Sequence, residues 1–307
     1  MSTPAVSLLV PCYNAARFLP RLAEHVRRMS VPFDRVLCYD DGSTDDTAAV
    51  ARELGWEIIT PNQNGGVSRA RNRLAYAAST EWIHFHDADD RIHPDFLARL
   101  LPLADASADV VSCDADWVAE ADERVLVSWR YDGAALASDP AAHLLARPMG
   151  LNNSLLRREA WERIGGCDET LAMWEDADVH LRLALAGARW RHVPEVLTWS
   201  LRNEASFSHD YRRNWRCRLQ ALQKYASTPG TARLAPLVAL EAERAADEML
   251  ALGDREAARE AVDLASSLGL RVPSTRNPLL RAARSVLPAL STLRLRRALR
   301  RIAASRS

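Results

Sequence analysis

Asp87-Ala88-Asp89-Asp90 packs three carboxylates into four residues directly after an apolar stretch. Carboxylates this close repel one another unless a cation sits among them. An all-oxygen donor set suits Mg2+ or Mn2+, and such a cation neutralises a departing diphosphate. A solvated acidic turn has the same composition, so the run carries weight only with its neighbours. Asp40-Asp41-Gly42-Ser43-Thr44-Asp45 is a second acidic cluster. A carboxylate at a sheet edge accepts the imide N–H of uracil or thymine, or the N1–H of guanine, and is mismatched to adenine and cytosine. The same residues also serve as a plain turn and helix cap. Asn64 to Asn72, Asn-Gly-Gly-Val-Ser-Arg-Ala-Arg-Asn, reads as a loop entering a helix. Its glycines permit close backbone approach, and its arginines suit a phosphate or a base. It lacks the Gly-Lys-Ser/Thr of a P-loop, which disfavours ATP hydrolysis. Glu175-Asp176-Ala177-Asp178 opens another helix, where acids favour the helix dipole and one carboxylate could deprotonate a sugar hydroxyl. Trp174 ahead of it is a core residue or a ring to stack on an acceptor sugar. Of the histidines, only His86 adjoins an acidic run.

These clusters need a scaffold, and the first part of the chain supplies an alternating one. Strands are expected at 6–10, 35–39, 56–59 and 82–86, with helices at 17–29, after Thr44 or Asp45 to about Leu54, and at 67–77. This rhythm predicts a mostly parallel sheet covered on both faces. Ligands of such sheets bind beyond the carboxyl ends of the strands, where both acidic clusters fall. Further strands are expected at 110–113, 125–129 and 154–156, and a helix at 175–186. After His209 the pattern is nearly all helical, with a hairpin of 239–252 and 255–268 turned at Gly253-Asp254.

The 307 residues carry no formal net charge and are 48% hydrophobic. Bulk charge therefore gives no sign of a nucleic-acid partner, and none is expected. From Pro273 onward there is no Asp or Glu, so the end of the chain is strongly basic. The five cysteines are irregularly spaced without a Cys-x-x-Cys pair, which suits buried free thiols in a reducing, cytoplasmic setting. Neither a signal peptide nor a membrane-spanning run is apparent.

The order and spacing of the clusters are more informative than any one of them. Val-Pro-x-Tyr-Asn at 10–14 is followed by Asp-Asp-Gly-Ser-Thr-Asp at 40–45, Asn-x-Gly with Ala-Arg-Asn at 64–72, and Asp-Ala-Asp-Asp at 87–90. Gly-Gly-Cys-Asp-Glu at 165–169 and Glu-Asp-Ala-Asp with Leu-Arg-Leu and Gly at 175–187 complete the series. Together they resemble the family 2 glycosyltransferases over roughly residues 5–208. The resemblance implies the GT-A fold, a Rossmann-like α/β domain at 1–208, then a helical region at 209–307 whose basic tail is 273–307.

It also implies roles. Pro11, Tyr13, Asn14 and Asp41 would meet the nucleobase end of a sugar nucleotide, with Tyr13 packed on the ring and Arg71 in support. Asp87 and Ala88 would lie along the donor, Asp89 would ligate the divalent metal, Mn2+ or Mg2+, and Asp87 would assist it. Trp174 and Glu175 would lie against the acceptor, and Asp176 would be the catalytic base of an inverting transfer. The implied donor is a nucleoside-diphosphate sugar, a UDP-sugar first. The acceptor is a glycan or lipid-linked saccharide in bacterial cell-surface polysaccharide synthesis. Two departures stand out: Arg202 is not followed by the His that many relatives place there, though His209 is near, and His86 replaces a usually apolar residue.

Rival readings are a silent sugar-nucleotide or partner-binding protein and a nucleotidyltransferase of related fold. Pro11-Cys12-Tyr13-Asn14 stands where the latter carries a glycine-rich basic signature, and a mere binder has no need of Asp176. In the tail, Leu295, Ala298, Leu299 and Ile302 share a helical face, with Leu290 and Leu293 off it and Arg294, Arg297, Arg300 and Arg301 elsewhere. Such a helix suits peripheral contact with the inner face of the cytoplasmic membrane, or packing on its own domain.

Overall fold

The computed structural model describes residues 4–61, 63–202, 210–228 and 230–304, with side chains to residue 300. It divides into two compact units, Met1–Ser206 and Phe207–Ser307.

The first unit is built on a nine-stranded sheet. Strand β1 (Val6–Cys12) is apolar almost throughout and buried on both faces, as a central parallel strand must be. It pairs in parallel with β2 (Arg35–Asp40) on one side and β4 (Trp82–Phe85) on the other, and β3 (Glu57–Ile59) extends the sheet beyond β2. The connecting helices are α1 (Leu19–Arg27), α2 (Thr47–Glu53) and α3 (Val67–Ala77). The chain thus winds outward from β1 to β3, then returns to β1's other side at β4. That reversal opens a crevice at the carboxyl ends of β1 and β4, where Tyr13, Asn14 and Asp87 to Asp90 emerge.

Beyond β4 the sheet changes direction. After α4 (Phe96–Leu100), strand β6 (Val110–Ala119) lies antiparallel to β8 (Ser154–Arg157), which is antiparallel to β4. The short β5 (Arg91–Ile92) leaves the acidic run and pairs with β9 (Trp190–Arg202), which runs parallel to β6. The edge strand β7 (Val125–Trp129) pairs with β6. Helices α5 (Gly133–Ser138), α6 (Pro140–Ala146), α7 (Arg158–Arg163) and α8 (Glu175–Leu185) complete the unit. Several elements differ from expectation, among them β6, β9 and α2. β6 runs on through Asp114 and Asp116, whose charges are met by Tyr131 N–H and His192 at Asp114 and by Arg130 at Asp116. β9 lacks a strand's sequence signature because Pro194 and Glu195 interrupt it. Both sit in a bulge, since Val193 pairs with Cys113 and Val196 with Asp114, and a bulge tolerates a missing N–H. Helix α2 also starts later than expected, because Asp45 takes the Thr47 N–H at 3.1 Å and the Ala16 N–H at 3.1 Å. The five cysteines are buried and free.

The second unit is helical: α9 (Tyr211–Ser227), α10 (Ala235–Ala251), α11 (Arg255–Ser267), α12 (Pro278–Val286) and α13 (Ala289–Ala304). Asp254 caps α11 by accepting from Ala257 N–H at 3.2 Å and is held by Arg216 at 2.6 Å. Helix α13 turns Thr292, Leu293 and Arg296 inward. Arg296 pairs with the buried Glu243, and Arg297 and Arg300 reach Asp247 at 3.4 and 3.2 Å. The stripe drawn from the helical wheel faces outward at Leu295 and Ala298, with Leu299 half-buried. The side chains of Arg301 and Ile302 lie outside the described residues. No described helix is long and apolar enough to cross a membrane.

Candidate active site

The loops after β1 and β2 are stitched together at the crevice. Asn14, at φ 51°, donates its backbone N–H to Ser43 Oγ at 2.8 Å and accepts from Thr44 N–H at 2.9 Å. That leaves Tyr13 projecting, 57% exposed, with a free ring face for a base, while Pro11 is half-buried. Asp41 is buried. Its Oδ1 and Oδ2 accept from Gly65 and Gly66 N–H at 2.8 and 2.7 Å, and Asn64 donates to its carbonyl at 2.8 Å. Asp41 therefore first of all fastens the 64–66 loop. Each oxygen keeps a second lone pair with which to accept an imide N–H.

Arg71 is the hub. It projects from α3, is buried, and donates through Nη2 to Asp87 Oδ1 at 2.9 Å and through Nη1 to Glu175 Oε1 at 2.5 Å. Burial works against its charge, but Asp87 and Glu175 outweigh it and hold its pKa above the usual arginine value. One guanidinium thus ties the acidic run after β4 to Glu175, the first residue of α8, which lies 104 positions after Arg71. A buried cation between two carboxylates offsets much of the cost of burying any one of them alone, although Arg71 Nε has no hydrogen-bond partner among the described residues.

The acidic run divides by role. Asp90 is buried and fully engaged: Oδ2 accepts from Asn152 Nδ2 and Ser200 Oγ, both at 2.9 Å, and Oδ1 from Leu201 N–H at 3.0 Å. It pins the turn to β9. The Asp87 side chain is 44% exposed beyond its contact with Arg71. Asp89 has its pKa raised by burial and then by Asp87, with Arg202 and Arg21 opposing. Arg21 also donates to the Asp89 carbonyl at 2.7 Å. Among the described residues no group of three or more His, Cys, Asp or Glu side chains converges on one point. Two mutually repelling carboxylates, one open to solvent, fit a hard cation whose remaining ligands are water and phosphate oxygens. Ala88, between them in sequence, is buried and packs in the hydrophobic core.

Asp176 stands beside this cluster in the first turn of α8. Burial raises its pKa to about 7, Glu175 adds to the rise, and Arg71 opposes it. A carboxylate so poised accepts a proton at neutral pH. Its backbone carbonyl accepts from the buried His180 Nδ1–H at 2.8 Å. Burial lowers the His180 pKa to about 4, so the ring stays neutral and its Nε2 faces Ser154 Oγ at 3.0 Å. Trp174, half-buried, enters the helix in the left-handed region at φ 70°, a backbone state that a large residue keeps only where its surroundings impose it. Asp178 is fully buried against Arg182 at 2.7 Å. His86 is fully buried, its pKa lowered to about 4 by burial, and it belongs to the core rather than the crevice. Arg202 lays its guanidinium over the Trp117 ring at 4.0 Å, while 203–209, including His209, lie outside the described residues.

The chain matches the family model for Glycosyl transferase family 2 over residues 7–168. It is 30% identical over 121 residues to the uncharacterized glycosyltransferase YibD of Escherichia coli (strain K12), covering 38% of this chain and 35% of that protein. It is 27% identical over 254 residues to the succinoglycan biosynthesis protein ExoA of Rhizobium meliloti (strain 1021), covering 75% and 74%. The chain spans only about a third of the first curated relatives it matches. Among solved structures it resembles the mannosyltransferase PcManGT from Pyrobaculum calidifontis in complex with GDP-Man and Mn2+, with TM-score 0.62, 22% identity, and 97% of this chain and 81% of that one covered. It also resembles S. aureus TarS 1–349 in complex with UDP-GlcNAc, with TM-score 0.69, 17% identity, and 94% and 89% covered.

Proposed function

The chain belongs to glycosyl transferase family 2 and has the GT-A fold, and from that premise we propose that it transfers a sugar, with inversion, from a nucleoside-diphosphate sugar to a hydroxyl of a glycan or lipid-linked saccharide. The observation that carries this reading is the Arg71 bridge from Asp87 to Glu175, the chain neighbour of Asp176, whose own pKa lies at about 7. Tyr13, Pro11, Asn14 and Asp41 receive the base, uracil first. Asp87, Ala88 and Arg71 line the path of the donor. Asp89, assisted by Asp87, would hold Mn2+ or Mg2+, which neutralises charge on the diphosphate. Trp174 and Glu175 border the acceptor. Asp176 takes the proton from the acceptor hydroxyl as that oxygen bonds to the anomeric carbon. The bond from that carbon to the diphosphate oxygen breaks on the opposite face.

ExoA's role in succinoglycan biosynthesis and the sugar nucleotides bound in PcManGT and TarS support this reading, and they favour a place in cell-surface polysaccharide synthesis. The same setting supports a cytoplasmic enzyme held at the inner membrane face. The test is a calorimetric titration with UDP, GDP, dTDP and their sugars, with and without Mn2+. UDP compounds are expected to bind most tightly and only with the metal. No binding by any of them would sink the proposal. Asp89→Ala should remove the metal-dependent component, and an unchanged titration would refute its role.

A further inference from the structure

We infer that the second unit carries a docking face for an anionic lipid surface, and that α12, not the end of α13 alone, builds it. The inference rests on the peripheral-membrane part of the reading above and is independent of the transfer chemistry. Leu280 is the one buried residue of α12. Leu279 and Val286 are 70% and 81% exposed, and Leu287 just after the helix is 44% exposed. Leu279, Ala282 and Val286 recur at i, i+3 and i+7, which is one face of a helix. The outward side of α13 adds Leu295, 37% exposed, and Ala298. Leaving such a helix face in water forgoes burial that a small unit needs.

The charges say what covers it. The arginines of this segment whose side chains are described fall into two sets. Arg296, Arg297 and Arg300 are committed to Glu243 and Asp247, and Arg284 donates to the carbonyls of Arg271 and Pro273 at 3.1 and 3.0 Å. Arg276, Arg281 and Arg294 are exposed, and no ion pair to them occurs among the described residues. With no Asp or Glu after Pro273, the charged residues that α12 and α13 themselves place beside the apolar stripe are all cations. Two copies of such a face repel each other. An anionic bilayer offers both an apolar layer for Leu279 and Val286 and negative headgroups for the arginines.

The test uses the full chain with vesicles of phosphatidylcholine, alone or mixed with phosphatidylglycerol, read by co-sedimentation. Binding is expected only with phosphatidylglycerol and should fall with added salt. Leu279→Glu with Val286→Glu should reduce partitioning by about tenfold or more, while nucleoside-diphosphate binding stays as in the parent. Arg276→Gln, Arg281→Gln and Arg294→Gln should each cost about fivefold; being exposed and unpaired, they are safe for the fold if the leucine and valine changes are not. Absence of phosphatidylglycerol-dependent binding by the parent overturns the inference. So does a double variant that binds like the parent. A dimer in sedimentation velocity that the double variant abolishes assigns the face to a second copy instead. Failure of the transferase reading would appear in the nucleotide titration and leave the vesicle result untouched.

Discussion

At the scale of the residue, the proposed base Asp176 is expected to set the pH behaviour. Its pKa of about 7 is raised first by burial and then by Glu175. As a base it works only when ionised, so log kcat should rise with pH below about 7 and level off above it. Asp176→Asn should lower kcat by about 100- to 10,000-fold, with nucleoside-diphosphate binding intact; normal turnover would dismiss the assignment. The same shift has a stability cost with a definite sign. An aspartate titrates near 3.9 in the unfolded chain and near 7 in the folded one. The folded state is therefore favoured by its proton below the lower value and loses that advantage as pH rises through the upper. Asn does not titrate. The melting temperature of Asp176→Asn should overtake the parent's as pH is raised from 5 to 8, and a constant difference would show that Asp176 is not strained by its surroundings. Asp90 does structural work instead. Asp90→Ala leaves Ser200 Oγ–H and Leu201 N–H without their acceptor and Asn152 with Ser200 Oγ alone, at a cost of about 1–3 kcal/mol for a buried group left unpaired. Thermal unfolding should register the loss, while Asp89→Ala should leave stability nearly unchanged and remove metal-dependent binding.

At the scale of the element, the loop before α8 shows what spacing can and cannot tell. Asn72 accepts from Cys167 N–H at 2.8 Å and donates to Cys167 O at 3.1 Å and to Glu169 at 2.9 Å. From the other side Arg182 donates to the carbonyls of Ile164 and Gly166 at 2.7 and 2.5 Å. Gly166 sits at φ 72°, and a Cβ there would strike Asn72 Oδ1. Gly166→Ala should therefore destabilise by about 1–3 kcal/mol, and an unshifted denaturant midpoint would contradict it. The Gly-Gly-Cys-Asp-Glu and Ala-Arg-Asn motifs were legible as motifs, but their mutual contact was not. Nothing in Asn72 encodes a partner 95 positions away. The strands β1 to β4 were legible because each is an apolar run between polar turns. β9 was not, because its bulge at Pro194 breaks the alternation that marks a strand. α5, α6 and α7 are too short for a helical period to stand out.

At the scale of the whole molecule, the acidic run illustrates how a weak local signal gains meaning. Asp87, Asp89 and Asp90 are alike in sequence, yet burial, a guanidinium and a sheet edge give them different work. The topology made this partly foreseeable, since the winding reverses at β1 and β4 and a crevice must open there. The Arg71 hub was foreseeable only in part: the sequence placed an arginine near a helix start, but not the two carboxylates that converge on it. The two proposed ligands fall on different stretches of chain, and hydrogen exchange can read them separately. UDP with Mn2+ should protect amides at 11–14, 41–45, 64–66 and 87–90, because those backbones line the crevice, and should leave 276–299 unchanged. Phosphatidylglycerol vesicles should do the reverse. Protection scales with the free energy of binding, about 2.7 kcal/mol at a hundred times Kd, which is ample for amides in exposed loops. Protection by UDP that spares 64–66 would remove Asp41 and its glycine loop from the nucleotide site, because the Gly65 and Gly66 amides are fastened to that carboxylate.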